Sequence, residues 1–307
     1  MPFRCVLLLL LLSVLPLAAP AQPTAPAGGP ARVERLPELP SKHVKTRQVD
    51  VWLPAGYPKP GYRYPVLYMH DGQNLFSPAT SYGGVAWEVD SLLTRLNRLG
   101  KARECIVVGI WNTELRFREY APAKPYHAMP AARRAQLAQE RPGTPLSDEY
   151  LRYLVTELKP YIDQHYATSP RRADTFVAGS SMGGLISLYA AMEYPRVFGG
   201  AACLSTHWPL SLQDNTPDFT TAMLAYLADR LPRPRRAPRL YFDYGTTTLD
   251  ARYEVHQQRI DSLLRARGYT ERVWLTRKDE GAAHNEAAWQ RRFDVPLRFL
   301  LPPAPRR

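Results

Sequence analysis

The stretch Thr175-Phe176-Val177-Ala178-Gly179-Ser180-Ser181-Met182-Gly183-Gly184-Leu185-Ile186-Ser187-Leu188-Tyr189 changes character in its middle. Its first four residues are an apolar run of the kind that forms a buried strand. From Leu185 onward the apolar residues recur at helical spacing. Between the two halves lies Gly179-Ser180-Ser181-Met182-Gly183, a G-x-S-x-G pattern. A strand that turns sharply into a helix through this pattern holds its central serine in a strained backbone conformation at the tip of the turn. The approach of strand and helix is then so close that neither Gly179 nor Gly183 is expected to tolerate a side chain. Ser181 sits at the helix N-terminus, where unpaired N–H groups and the helix dipole favour developing negative charge. The Met182 N–H is a natural donor to such a charge. Ser180 lacks a glycine pair at the required spacing. The alternative is a glycine-rich turn with a purely structural use.

Outward from this turn, strand-like and helix-like segments alternate. Strands are expected at 48–53, 65–69, 105–110, 174–178, 198–204, 239–244 and 272–276. Helices are expected at 89–99, 148–166, 182–194 and 251–267, and at 285–301 with a bend at Pro296. Such alternation predicts an α/β fold with a mostly parallel sheet and helices on both faces. Two long stretches, 113–147 and 205–238, interrupt the rhythm and read as functional loops or insertions. The first carries a short helix at 130–140. The sequence contains no internal repeat.

A serine at such a turn becomes a nucleophile only with a base and a carboxylate that orients the base. In chain order the acid is expected after the serine, and the histidine after the acid. Three of the seven histidines follow Ser181. His256 falls inside a helix and His207 comes too early. His284, in Gly281-Ala282-Ala283-His284-Asn285-Glu286, lies in a small-residue loop past the last strand and is the expected base. Asp250 lies in the loop after the 239–244 strand and is the expected acid, with Asp243 inside that strand as the alternative. The second donor to a developing oxyanion is expected from His70-Asp71-Gly72-Gln73-Asn74-Leu75-Phe76, through the Gln73 N–H. Trp111 and Arg118 after one strand, with His207 and Trp208 after another, are expected to line the substrate crevice at the strands' C-terminal ends. Aromatic faces and guanidinium groups there suit sugar rings, aryl acyl groups or anionic oxygens.

The 307 residues suffice for one large domain, and the composition, 45% hydrophobic and 22% charged, is that of a globular protein. The formal charge is +12. The arginines are scattered, no aromatic-plus-basic module accompanies them, and nucleic acid is not an expected partner. Residues 1–21 have the form of a signal peptide: Arg4, then an apolar run broken by Ser13 and Pro16, then Ala19-Pro20-Ala21. The run is too short and too broken for a stable membrane span. A secreted or periplasmic location follows, with cleavage after Ala21. Residues 22–30 read as a disordered leader, 31–301 as a single domain with its insertion at 113–147, and 302–307 as a tail. Cys105 and Cys203 remain after cleavage, both in apolar strand-like runs that suit buried free thiols. No metal-ligand spacing and no phosphate loop occurs, so neither metal nor other cofactor is expected. Nothing in the sequence specifies an oligomeric state.

With these residues in hand, the chain from about 45 to 301 resembles the putative-esterase family of α/β hydrolases. That family includes enterobactin, feruloyl and acetylxylan esterases and S-formylglutathione hydrolase. The resemblance rests on His70-Asp71-Gly72-Gln73-Asn74-Leu75-Phe76, on Ser181-Met182-Gly183-Gly184 and on the loop around His284. It implies the α/β-hydrolase fold and carboxylic ester hydrolysis through an acyl-enzyme, with Ser181, Asp250 and His284 as the triad. The implied substrate is a small-molecule or carbohydrate ester, of the acylated-sugar or siderophore kind. Two other readings stay open: an acyltransferase with the same triad, and a non-catalytic binding protein on the same fold.

Overall fold

A computed structural model describes residues 28–303. The expected signal peptide, most of the leader and the end of the tail lie outside the described residues. Eight strands form one sheet: β1 (Arg32–Arg35), β2 (Val49–Leu53), β3 (Val66–His70), β4 (Ile106–Ile110), β5 (Thr175–Ser180), β6 (Gly200–Leu204), β7 (Arg239–Gly245) and β8 (Trp274–Asp279). Their spatial order is β1-β2-β4-β3-β5-β6-β7-β8. β2 is antiparallel to both its neighbours, and every other pair is parallel. The C-terminal ends of β3, β5, β6 and β7 therefore point to one edge, where the expected site residues follow them.

Helices cover both faces, because the central strands are apolar on both sides. α1 (Val89–Arg98), α10 (Glu286–Arg292) and α11 (Asp294–Leu300) pack on Leu67, Met69, Phe176 and Ala178. The other face carries α2 (Arg116–Tyr120), α3 (Ala123–Ala128), α4 (Ala131–Glu140), α5 (Ser147–Tyr153), α6 (Lys159–His165), α7 (Met182–Glu193), α8 (Asp218–Arg230) and α9 (Glu254–Ala266). These cover Val66, Tyr68, Val177 and Phe242. A π-helical turn at Leu154–Leu158 joins α5 to α6, making one helix of the expected 148–166 segment. Cys105 and Cys203 are buried free thiols, kept apart by the strands between β4 and β6.

Four expectations need correction. β1 was not expected, and Gly56 N–H donates to the Gly29 carbonyl at 2.9 Å, so the fold reaches into the supposed leader. α8 lies inside the stretch read as loop; it buries Phe219, Met223 and Leu227, spaced four apart. The last helix breaks at Phe293 and not at Pro296. The break puts Pro296 in the first turn of α11, where a missing N–H costs nothing. The fourth concerns the glycines. A Cβ on Gly179 would lie 2.9 Å from the Gly183 carbonyl carbon, but one on Gly183 meets only ordinary contacts, the nearest at 3.5 Å. The second tight position is Gly184, where a Cβ would sit 2.9 Å from Thr206 Oγ1.

Gly179→Ala is therefore expected to destabilise the protein by about 1–3 kcal/mol through overpacking. Gly183→Ala is expected to be neutral or stabilising, because alanine is the better helix former by about 1 kcal/mol. Urea denaturation of both variants checks this, and equal losses would contradict it. His70, His207 and His256 are each at most 2% exposed. Burial lowers their pKa values to about 3, 3 and 4. The unfolded chain then binds more protons than the fold once the pH drops below about 6.5, so stability present at neutral pH is lost towards acid. Each of the three contributes a slope of up to about 1.4 kcal/mol per pH unit. The urea midpoint is expected to fall between pH 6.5 and 5, and a midpoint constant over that range would contradict the burial of neutral imidazoles.

Candidate active site

β5 delivers Ser181 to the edge with φ 58° and ψ −121°, a left-handed-side conformation that non-glycine residues rarely adopt. Its N–H donates to the Leu204 carbonyl at 2.8 Å, and its own carbonyl accepts from His207 N–H at 3.2 Å. β6 thus clamps the turn from the side. The Met182 and Gln73 N–H groups have no acceptor among the described residues. Gln73 sits in a tight turn after β3, where Asp71 has φ 57°. Arg116 grips both Asp71 oxygens, at 2.7 and 2.8 Å, and Asn112 adds a third bond at 2.6 Å. These contacts tie the 113–147 insertion to the loop that bears Gln73.

His284 Nδ1 and Asp250 Oδ1 are 2.6 Å apart. Asp250 is fully buried. Its other oxygen accepts from the Ser205 hydroxyl and the Gly245 N–H, each at 2.6 Å. Burial pushes the Asp250 carboxyl up, but these donors and His284 outweigh it and hold the pKa below the ordinary carboxylate value. Ser205 Oγ in turn accepts from Arg292 at 2.7 Å and from Trp289 at 2.9 Å. Asp243 does not touch His284. It accepts from Arg292 at 2.9 Å, from Tyr241 at 3.0 Å and from Ser205 N–H at 3.2 Å. Of the two carboxylates left open by the sequence, Asp250 is the one in contact with the histidine. The His284 ring lies edge-on between Trp289 and Tyr253, at centroid distances of 5.0 and 5.6 Å. The His284 backbone N–H donates to Thr248 Oγ1 at 2.8 Å.

No direct hydrogen bond joins Ser181 to His284 among the described residues. Beside the serine, the Tyr253 hydroxyl is 2.7 Å from His207 Nδ1. The four expected substrate residues fare differently. His207 and Trp208 are 1% and 0% exposed and cannot line an open crevice. The chain turns inward at Ser205, where φ is 42°, and Trp208 donates to Gln257 in the core at 3.0 Å. Trp111 is turned to the sheet's edge, donating to Asp50 on β2 at 2.8 Å with Arg35 over its ring. Arg118 is exposed and donates to the Thr144 carbonyl at 2.8 Å, within the insertion itself. Sequence reasoning missed Tyr253, Ser205, Trp289 and Arg292. The only signal for Tyr253 was its place three residues after Asp250; Ser205 and Arg292 are joined only by the fold. Among the described residues no cluster of His, Cys, Asp and Glu could hold a metal ion, and no helix is long and apolar enough to cross a membrane.

A family profile described as "Putative esterase" matches residues 42–300. The curated Uncharacterized protein YbbA of Bacillus subtilis is 23% identical over 261 residues, which are 83% of this chain and 92% of that protein. A solved ferulic acid esterase superposes with a TM-score of 0.63 at 21% identity, covering 89% of this chain and 98% of that one. The enterobactin esterase FES from Shigella flexneri superposes with a TM-score of 0.62 at 19% identity, over 92% of this chain and 62% of that one. At such identities the structural likeness establishes the fold, which is that of the α/β hydrolases. The match over 42–300 goes further: the chain belongs to the putative-esterase family of carboxylic ester hydrolases.

Proposed function

We propose that the protein is an exported serine esterase that works through an acyl-enzyme on Ser181, with His284 as base and Asp250 as the acid that orients it. The observation that carries this reading is the buried Asp250–His284 contact of 2.6 Å beside a serine held at positive φ on a helix N-terminus. Asp250 fixes the proton of His284 on Nδ1, which leaves Nε2 free to take the Ser181 proton. Ser181 Oγ then attacks the ester carbonyl. The oxyanion is received by the Met182 and Gln73 N–H groups, which have no competing acceptor. The alcohol leaves with the proton held by His284, and water repeats the sequence on the acyl-enzyme. Export rests on the signal-peptide form of residues 1–21, and predicts a mature protein that starts at Gln22.

The reading extends to the substrate. Burial, and then the nearby guanidinium groups of Arg116, Arg141 and Arg252, hold the pKa of His207 down. The His207 backbone N–H donates to the Ser181 carbonyl at 3.2 Å, so the charges felt by His207 also reach the nucleophile. Arg141 and Arg252 are exposed, and Arg252 spends one N–H on the Leu212 carbonyl and none on a carboxylate. A polar ester with an anionic or phenolic oxygen suits that field. One structural neighbour is a ferulic acid esterase, and another was solved in the presence of 2,3-di-hydroxy-N-benzoyl-glycine.

Ser181→Ala is expected to lower kcat by roughly 10⁴-fold or more with the fold intact, while Ser180→Ala keeps substantial activity. Asp250→Asn is expected to cost on the order of 10⁴-fold in kcat. Asp243→Asn is expected to act on stability, since it removes the carboxylate nearest the buried Arg292 and leaves only the more distant Asp250 and Asp279 to balance it, at a cost of up to about 3–5 kcal/mol. Steady-state kinetics and urea denaturation separate the two; a mild Asp250→Asn beside an inactive, stable Asp243→Asn would overturn the assignment. Arg141→Ala and Arg252→Ala are expected to raise KM for a catecholate or carboxylate-bearing ester more than for p-nitrophenyl acetate. Equal effects on both substrates would remove the substrate proposal.

A further inference from the structure

Ser181 and its partners occupy one edge of the sheet. At the opposite edge, where β4, β5, β7 and β8 begin, an open cleft of about 550 Å³ is lined by Arg103, Arg172, Arg239 and Arg272. The six residues of β5, at ~3.3 Å each, keep it roughly 20 Å from Ser181. Ala237, Val273 and Pro303 make part of the wall apolar.

Four guanidinium groups share this cleft with one carboxylate, that of Asp174. Asp174 is divided between two cations: Arg103 donates to one oxygen at 2.8 Å and Arg171 to the other at 2.7 Å. Arg172 and Arg239 are held by main-chain carbonyls instead. Arg172 donates to those of Pro195 and Arg236 at 2.6 and 3.1 Å, and Arg239 to that of Phe299 at 2.9 Å. A carbonyl fixes a guanidinium without cancelling its charge. Among the described residues, none of Arg172, Arg239 and Arg272 has a carboxylate partner, because the acid of the cleft pairs with Arg103 and Arg171. Arg172 and Arg239 are half-buried. Burial draws the pKa of Arg172 down, and burial with the charge of Arg103 does the same at Arg239. Like charges are thus gathered in a partly dry recess, a strain that a bound anion relieves.

We propose that this cleft is a second binding site, for a multiply charged phosphoryl group carried by a small molecule or a lipid headgroup. The charge balance selects the ligand class. Four guanidinium groups against one carboxylate leave three positive charges uncompensated, which a carboxylate ligand with its single charge does not match. Phosphoryl oxygens also fit the planar guanidinium fork in pairs. Arg172 and Arg239 are already fixed by their carbonyls, so little side-chain freedom is lost on binding. The apolar wall takes the carbon skeleton that bears the phosphoryl group. The site is remote from the nucleophile and does not depend on the role given to Ser181.

The test is calorimetric titration of the protein with pyrophosphate at low ionic strength, beside cosedimentation with phosphatidylcholine vesicles that contain phosphatidic acid. Arg172→Gln and Arg239→Gln are each expected to weaken binding about tenfold or more, the worth of one hydrogen bond to a charged group. Arg272 is exposed and bonds no protein group among the described residues, so Arg272→Gln keeps the fold and carries the comparison should the other two variants not fold. It is expected to weaken binding about threefold or more. Arg98→Gln removes an equal charge from the exposed side of α1 and is expected to change Kd less than about twofold. Pyrophosphate binding that the cleft variants weaken, without vesicle binding, assigns a soluble ligand. Vesicle binding that the same variants weaken assigns a lipid headgroup. Binding of neither, binding that the cleft variants leave unchanged, or binding that Arg141→Ala and Arg252→Ala abolish instead, would overturn the proposal.

Discussion

Ser181 is held where a serine does not belong, at φ 58° between a strand and a helix. Such a conformation costs of order 1–3 kcal/mol and persists only where its surroundings over-determine it. Three contacts do so. Gly179 lets the strand approach Gly183 within side-chain distance, Gly184 lets the helix lie against Thr206, and Leu204 at the end of β6 and His207 in the loop after it hydrogen-bond the serine's backbone. Other non-glycine residues at positive φ border the same site. Asp71 precedes Gln73, Ser205 bonds Asp250, and Thr248 bonds His284. The strain is concentrated at the sheet's C-terminal edge, and the apolar packing on both faces of the sheet is what sustains it.

A second constraint lies behind the histidine. Asp250 has no access to water, and a buried carboxylate without partners would take up a proton. Ser205 and Gly245 supply the missing donors, and Arg292 with Trp289 reaches Ser205 from α10, the helix that directly follows His284. The charge of Arg292 is shared with Asp243 on β7. The carboxylate next to His284 and the carboxylate inside the strand thus have different surroundings. One orients an imidazole, and the other neutralises the cation that steadies the first.

The parts legible in the sequence were those written in local patterns. The apolar runs of β3 to β7 and the spacing in α1, α5 to α7 and α9 gave the sheet and its layers, because burial on both faces makes a strand uniformly apolar. The loops at strand ends gave Asp250 and His284, which the fold puts in contact. What was not legible depends on distance in space. β1 is polar and half exposed, with no apolar run to mark it. α8 has apolar residues four apart, but Thr220 and Thr221 and a proline on each side mask them. Trp208 reads as a binding aromatic and is core, since only the turn at Ser205 decides which way the chain goes. The Arg292–Ser205–Asp250 chain and the Tyr253–His207 pair join residues 45 to 87 positions apart, and no local pattern records them.

The claim on which the account stands is that the strained serine is the one that becomes acylated. Treatment with a fluorophosphonate at neutral pH, followed by proteolysis and mass spectrometry, tests it most directly. The account predicts one adduct per chain, on Ser181, lost in Ser181→Ala and formed far more slowly in Asp250→Asn. An adduct on Ser180 or Ser205, or no adduct on a folded protein, would contradict it.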